Sequence, residues 1–142
     1  MSYPVNFTDN INKGSITVQD NAVNTETSLQ LPGKSLTNYG TAINTNFLHL
    51  LENFANNNSP SNPVEGQLWY DSTSGNEQLK VYDGTQWVAS GGLKKATTEP
   101  GASNSLTGDL WVDTDNQQLY LYTGSGWTLI GPDYAGGLNT GV

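Results

Sequence analysis

The sequence contains no cysteine and no arginine, and only one of its 142 residues is histidine. The absence of cysteine excludes disulfide bonds and thiolate metal ligands. Arginine is the residue that most often recognises bases and phosphates, and the net charge of −8 opposes the approach of a polyanion. We therefore expect no binding to nucleic acid.

Long apolar runs are also absent. The longest apolar cluster, FLHLLENF at residues 47–54, is far too short to cross a bilayer. The first ten residues, MSYPVNFTDN, contain neither the basic region nor the apolar region of a secretory signal. We expect a protein that is made in the cytosol and does not insert into membranes.

Motifs of catalysis are lacking as well. No serine lies in a nucleophile motif, and no glycine-rich loop of the phosphate-binding type occurs. The single histidine, His49, lies beside apolar residues, where packing is the commoner role, and most carboxylates fall in predicted turns. We expect neither an enzyme nor a bound cofactor.

Uncharged polar residues and glycine make up much of the chain. It contains 17 Asn, 16 Thr and 16 Gly, whereas apolar residues account for only 35%. Asn and Gly tolerate the backbone of tight turns and Thr favours strands, so this composition predicts turn-rich β structure with a small core. Much of the apolar burial is therefore expected to involve other chains.

One segment has a helical period. Its apolar residues are spaced by 3, 4, 4, 3 and 4 positions, which places them on one face of a helix that we predict over residues 35–58, with Ser35 as N-cap. Such a stripe has to be buried, so it predicts a docking or oligomer interface formed by Leu36, Tyr39, Ile43, Phe47, Leu50 and Phe54. Upstream, alternating runs at residues 15–18 and 27–31 predict a hairpin.

The second half of the chain contains an internal repeat. GQLWYDSTSGNEQLKVYDGTQW at residues 66–87 and GDLWVDTDNQQLYLYTGSGW at residues 108–127 share the same Gly, Leu, Trp, Asp and Tyr positions. Each copy predicts a three-stranded β-meander with tight turns. We predict a docking region of hairpin and helix at 1–59, repeats at 60–92 and 105–132, an exposed linker at 93–104 and a tail at 133–142.

The repeated aromatic residues allow two interpretations. Trp and Tyr beside Asp and Asn can stack on sugar rings, but they also pair across strands and hold a small sheet together. Repetition at fixed spacing favours the structural role, because a sheet needs the same residues twice and a specific pocket does not. The residues concerned are Trp69, Tyr82, Trp87, Trp111, Tyr122 and Trp127.

Asp113 and Asp115 are weak candidates for a metal site. Alternate oxygen ligands can converge on a hard cation, but the glycine and the distal glutamate of a calcium loop are missing. Asp is also among the commonest turn formers. The sequence therefore predicts a turn without a metal at this position.

The repeated pattern G-x-L-W-x-D…L-x-x-Y-x-G-x-x-W resembles modules in fibre and baseplate-associated structural proteins of tailed bacteriophages. Together with NFLHLLENFANN and SNPVEGQLWYD, it is most similar to virion proteins of contractile-tailed phages that infect cyanobacteria, and the resemblance covers roughly residues 10–132. It implies a virion component, often trimeric, whose N-terminal part docks on the particle. With no long shaft or receptor-binding tip after the second repeat, a direct role in host recognition is not expected.

These observations predict a mainly β protein with one principal helix, in which an N-terminal hairpin and helix precede two three-stranded meanders. We expect it to be elongated and trimeric, and to serve as a tail, fibre or baseplate adaptor in the virion. The alternatives are a glycan-binding module that displays the repeated Trp and Tyr residues to a host surface, and a decoration protein of the head or neck.

Overall fold

The computed structural model describes residues 1–75, 77–91 and 93–134. Within this part the chain is mainly β with one long helix, as the composition and the periodicity predict. The elements in chain order are β1 (Ser2–Asn6), α1 (Asn10–Lys13), β2 (Ser15–Gln19), β3 (Val23–Asn24), β4 (Leu31–Pro32), α2 (Tyr39–Leu51), β5 (Leu68–Asp71), β6 (Gln78–Tyr82), β7 (Trp87–Ala89), β8 (Leu93–Ala96), a 3-10 turn (Ala102–Asn104), β9 (Leu110–Asp113), β10 (Gln118–Tyr122) and β11 (Trp127–Gly131).

The N-terminal hairpin differs from the predicted one. β2 pairs antiparallel with β1, from Ser2 opposite Gln19 to Asn6 opposite Ser15, and the short helix α1 forms the connection. The predicted pairing of residues 15–18 with 27–31 is therefore wrong. Alternation of apolar and polar residues indicates a strand but does not identify the strand that pairs with it. In β1 the sequence signal is also weak, because Pro4 is uncommon within strands.

The strands β3 and β4 form a second small antiparallel sheet beside β2. The side chain of Asn24 donates a 3.0 Å hydrogen bond to the carbonyl oxygen of Thr17 and so ties β3 to β2. Gly33 follows β4 where the backbones lie closest, and a Cβ at this position would overlap the carbonyl oxygen of Gln19. Only glycine permits this approach.

The helix α2 is shorter than predicted because both ends are set by residues with a left-handed backbone. Asn38 precedes the helix with φ 60°, and Ser35 has φ 65°, so the prediction of Ser35 as N-cap is wrong. At the other end Asn53 has φ 50°. The Phe54 N–H donates to the carbonyl of His49 at 2.8 Å and the Asn53 N–H to that of Leu50 at 3.3 Å.

These two hydrogen bonds form the Schellman arrangement, with asparagine in the position that glycine usually occupies. The apolar contact that accompanies this arrangement is formed by the rings of His49 and Phe54, whose centroids lie 5.4 Å apart. The helix ends at this closure, seven residues before the predicted boundary at residue 58.

The first large sheet contains β5, β6 and β7 in antiparallel order. The chain preceding it adds to its edge, because Asn56 forms a parallel bridge with Asp71 and the Tyr70 N–H donates to the carbonyl of Asn53 at 2.9 Å. Residues 53–57 therefore pair with the first sheet, although the sequence assigns them to the N-terminal region.

The second large sheet has the order β11-β10-β9-β8. The strand β8 runs parallel to β9, with Ala96 opposite Asp113. Residues 93–96 were predicted to belong to an exposed linker. That prediction is wrong for this segment, since β8 is a strand of the sheet and the buried side chain of Lys94 donates a 2.8 Å hydrogen bond to Asp109.

The apolar core of the described residues is small. It consists of seven side chains that are distributed over the N-terminal hairpin, α2 and the two large sheets: Ile16, Val18, Ala42, Trp69, Val88, Trp111 and Tyr122. No single cluster dominates the interior, so each sheet relies on its own few aromatic and branched residues for packing.

Candidate functional site

The outer side of α2 exposes several large apolar side chains. Phe47 is 63% exposed, Leu50 52% and Leu51 81%. Singly exposed apolar residues are common, but several on adjacent turns of one helix form a patch that is characteristic of interfaces. We call this patch the α2 surface and define it as Tyr39, Phe47, Leu48, Leu50 and Leu51.

The six residues predicted to form an interface divide into two groups in the structure. Tyr39, Phe47 and Leu50 belong to the α2 surface and are exposed. Leu36, Ile43 and Phe54 are half-buried within the chain. Leu48 and Leu51, which widen the apolar stripe in the sequence but were not among these six, complete the exposed patch.

The inner side of α2 contacts β4 and the loop before it. Ala42 is the buried residue of this side, and Asn46 lies one turn further along the helix. The Asn46 amide accepts a hydrogen bond from the Gln30 N–H at 2.9 Å and donates one to the Gln30 carbonyl at 2.6 Å. A single side chain thus satisfies both backbone groups of Gln30 and holds residues 27–31 against the helix.

A pocket of about 300 Å³ lies beside the C-terminal end of α2. Leu50 and Phe54 form one wall, so the pocket is continuous with the α2 surface. The other lining residues come from β1 and the residue after it, from β2, from the loop before β4 and β4 itself, and from the segment before β5: Val5, Asn6, Phe7, Ile16, Thr27, Ser28, Leu29, Leu31, Val64 and Gln67. Sequence analysis did not identify this pocket, because its walls come from segments up to sixty residues apart.

The aromatic residues of the two large sheets have closely similar geometry. The centroids of Trp69 and Trp87 lie 5.4 Å apart at 66°, and those of Trp111 and Trp127 lie 5.8 Å apart at 68°. Tyr82 lies 5.2 Å from Trp87, as Tyr122 lies 5.1 Å from Trp127, both at 54°. The Trp–Trp pairs are edge-to-face, a favoured arrangement of aromatic rings, and the Tyr–Trp pairs are tilted.

The first tryptophan of each sheet is buried and hydrogen-bonded. The indole N–H of Trp69 donates to the carbonyl of Asn56 at 3.2 Å, and that of Trp111 to the carbonyl of Ala96 at 3.1 Å. The Lys80 ammonium lies over the ring of Trp69, 4.9 Å from its centroid. In the second sheet the ring of Trp111 stacks instead on Tyr120, with the centroids 4.6 Å apart. Rings held in this way offer little free face for a sugar.

Trp87 has a different environment, because it lines a cleft of about 490 Å³ between the first sheet and residues 93–104. The cleft also contains polar side chains, among them Gln78, Glu99 and Asn104. The equivalent Trp127 instead donates its indole N–H to the carbonyl of Pro100 at 2.9 Å.

The aspartates that end β5 and β9 act in turns. Asp113 accepts hydrogen bonds from the backbone N–H of Asp115 at 3.0 Å and from the side chain of Asn116 at 2.8 Å. The hydrogen bond from the Asn116 side chain is the largest of the effects that lower the pKa of the Asp113 carboxyl below its ordinary value. Asp115 is exposed. Among residues 1–75, 77–91 and 93–134, no group of three His, Cys, Asp or Glu residues could hold a metal ion.

Asp71 occupies the corresponding position in the first sheet. Burial disfavours its ionisation, but hydrogen bonds from Thr73 and Lys80 outweigh that effect and lower the pKa of the carboxyl. The Lys80 ammonium lies 2.9 Å from the Asp71 carboxylate. The pair therefore fixes the position of Lys80 above the Trp69 ring.

No family model, curated protein or solved structure matches this chain. In the part of the chain that the structure describes, none of the helices has the length and apolar character needed to cross a membrane.

Proposed function

We propose that this chain is a structural component of a bacteriophage virion, an adaptor of the tail, fibre or baseplate. It is made in the host cytoplasm, docks on the particle through its N-terminal part and has no catalytic role. The observation that carries the proposal is the α2 surface, a patch of five large apolar side chains that residues 1–75, 77–91 and 93–134 leave exposed. The assignment to a phage tail rests on the resemblance of the repeated tryptophan pattern to modules in fibre and baseplate-associated proteins of tailed bacteriophages.

Oligomerisation, most simply as a trimer, accounts for the small core. Exposed apolar residues also occur outside α2, for example Leu68 and Tyr70 on one face of β5 and Ile130 on β11. A sheet of three or four short strands gains stability when such a face is covered by another chain. Static light scattering on the isolated protein tests this part, and a monomer at micromolar concentration would contradict it.

The two large sheets are proposed to be copies of one structural unit that spaces or joins virion parts. Their strand registers agree, with Leu68 opposite Val81 in the first and Leu110 opposite Leu121 in the second. A parallel segment precedes the first strand in both cases, at Asn56 and at Ala96. A unit that supplies its own edge segment suits tandem arrangement.

Docking through α2 is tested by Leu50→Asp and Phe47→Asp. Both residues are more than half exposed, so the substitutions leave the fold intact, but each would bury an unpaired carboxylate in the assembled particle. We expect both variants to be lost from purified virions at least tenfold, measured by quantitative mass spectrometry after complementation of a phage that lacks the wild-type gene.

The matched control is Leu106→Asp, at a site that is 40% exposed and lies in the segment before β9, outside α2 and the sheet faces proposed for oligomerisation. It should be incorporated at the wild-type level. Normal incorporation of Leu50→Asp and Phe47→Asp would contradict docking through α2. Immunogold labelling of virions then separates a tail position from the alternative position in the head or neck.

The cleft at Trp87 is the observation that favours glycan binding as a second candidate function. Polar side chains and an aromatic ring at one site are the groups that bind sugars. Under this alternative, Trp87→Phe weakens binding of the protein to host envelope material, because the smaller ring offers less stacking area, while particle incorporation is unchanged. Under the structural proposal, no such binding is detected for the wild type.

A further inference from the structure

Three of the four tryptophans donate their indole N–H to a backbone carbonyl. Trp69 and Trp111 donate to the segment beside the first strand of their sheets, and Trp127 donates to the carbonyl of Pro100 at 2.9 Å. Among residues 1–75, 77–91 and 93–134, the indole N–H of Trp87 has no acceptor. The buried side-chain nitrogen and oxygen atoms of these residues all have partners, so the Trp87 N–H is open to the solvent of the cleft that its ring lines.

The second large sheet shows an occupied site of the same kind. Trp87 and Trp127 are equivalent, since each begins the last strand of its sheet. The residue bound to the Trp127 N–H is a proline, whose φ is fixed near about −65°, and the next residue, Gly101, has φ −64° and ψ 148°. These angles are those of polyproline II. Trp127 therefore holds the carbonyl of a proline in an extended segment.

The corresponding segment of the first sheet is directed elsewhere. Pro100 lies 27 positions before Trp127, and Pro60 lies equally far before Trp87. Pro60 is not among the residues that line the cleft, and the carbonyl of Ser61 accepts a hydrogen bond from the hydroxyl of Ser28 in the N-terminal region. The site at Trp87 thus keeps the donor, while the segment that would supply its acceptor is held against other residues.

Two side-chain amides also face the cleft. Gln78 and Asn104 lie in its walls, and in the described part of the chain neither side chain has a hydrogen-bond partner. An amide can pair with both the N–H and the carbonyl of a peptide backbone, as the Asn46 side chain does with Gln30. The cleft of about 490 Å³ therefore combines three groups that can bind extended backbone.

We propose that the cleft at Trp87 binds an extended, proline-containing segment of another protein. The proline carbonyl accepts the Trp87 N–H, as that of Pro100 accepts the Trp127 N–H, and the two amides pair with the neighbouring peptide units. Aromatic-lined grooves bind such segments because a polyproline II conformation already present in the unbound peptide lowers the entropic cost of binding. No residue of α2 lines the cleft, so the proposal goes beyond docking through α2 and does not depend on it.

The comparison of the two sheets favours this occupant over a sugar and over a second copy. The equivalent tryptophan holds a peptide carbonyl, which is the group that a peptide ligand would present. In a second copy of the chain, Pro100 is already bound to Trp127 of that copy. The segment is therefore assigned to a different protein.

The probe is the acetylated and amidated peptide Ala-Thr-Thr-Glu-Pro-Gly-Ala, the sequence of residues 96–102, added to the full-length protein. NMR follows the four indole N–H signals, and the Trp87 signal is identified by its loss in Trp87→Phe. We expect the peptide to shift the Trp87 signal and not that of Trp127, where the tethered Pro100 has the higher effective concentration. The same peptide with Ala in place of Pro should bind at least fivefold more weakly, because it is less preorganised. Maltose should cause no shift.

Two pairs of variants test the site itself, with binding measured from the backbone amide signals of the cleft. Trp87→Phe keeps a ring but removes the N–H and should weaken binding at least tenfold, whereas Tyr70→Phe, on the opposite face of the same sheet, should not. Gln78→Ala should weaken binding at least threefold. Gln86→Ala, at a half-buried position outside the cleft lining, should leave it unchanged.

The proposal is overturned if neither peptide shifts the Trp87 signal, if both bind equally well, or if Trp87→Phe binds like the wild type. A shift with maltose and not with the peptide would make the occupant a sugar. A shift of the Trp87 signal with protein concentration alone would make it a second copy, which also contradicts the proposal. Leu50→Asp and Phe47→Asp should bind the peptide normally, so failure of docking through α2 and failure of this site are separate results.

Discussion

Trp69 and Trp111 each link a sheet to the chain segment that precedes it. The ring packs against the second tryptophan of the same sheet, and the indole N–H satisfies a backbone carbonyl of the preceding segment. One residue therefore supplies both apolar burial and a hydrogen bond at a site where the core is small. Removing it leaves a cavity and an unsatisfied carbonyl together.

Trp111→Ala should lower the free energy of unfolding by about 3–5 kcal/mol, because a large buried aromatic side chain is lost, and Trp127→Ala should lower it by less, because Trp127 is half-buried. Chemical denaturation followed by circular dichroism measures this. Tyr39→Ala serves as the control, since Tyr39 is 57% exposed on α2 and its loss should change stability by less than about 0.5 kcal/mol. Wild-type stability of both Trp variants would show that these rings are available for recognition rather than packing.

At the scale of the element, α2 has two sides with different roles. The inner side holds the loop at residues 27–31 through Asn46, and the outer side is the α2 surface. The Schellman closure at Asn53 ends the helix and turns the chain towards β5. The same closure places Phe54 in the wall of the pocket.

Asn46→Ala should destabilise the protein by about 1–3 kcal/mol, because the N–H and carbonyl of Gln30 lose their partners. Asn44→Ala, at an exposed position of the same helix, is the matched control and should be close to neutral. Hydrogen exchange should show faster exchange at the Gln30 amide in the first variant alone. An unchanged rate there would mean that the loop is held by other contacts.

At the scale of the whole molecule, hydrogen bonds connect the N-terminal region to the segment that leads into the first large sheet. Asn62 donates to the carbonyl of Thr25 at 3.0 Å, and Gln67 donates to the hydroxyl of Ser28 at 2.9 Å. The second sheet begins with β8, so a division between the units lies before residue 93 and not at residue 105.

A chain truncated after residue 91 should fold cooperatively and be more soluble than one truncated after residue 104. In the longer fragment, residues 93–96 lack their partner β9 and present an unpaired edge. NMR spectra should show dispersed signals for residues 1–91 in both fragments and random-coil signals for 93–104 in the longer one. A higher melting temperature of the longer fragment would mean that residues 93–104 pack on the first sheet instead.

The sequence alone was sufficient for features that depend on local pattern. The period of the apolar residues identified the helix, and alternation together with turn residues located both meanders, because side-chain periodicity and turn chemistry are properties of a short stretch of chain. Only the tertiary structure decided the strand partners and the pocket. β2 pairs with β1, β8 joins β9 in parallel, and Val5, Leu31 and Val64 line one cavity with Leu50. Periodicity shows which face of an element is buried but not which distant segment covers it, and that choice depends on long-range packing and backbone hydrogen bonds.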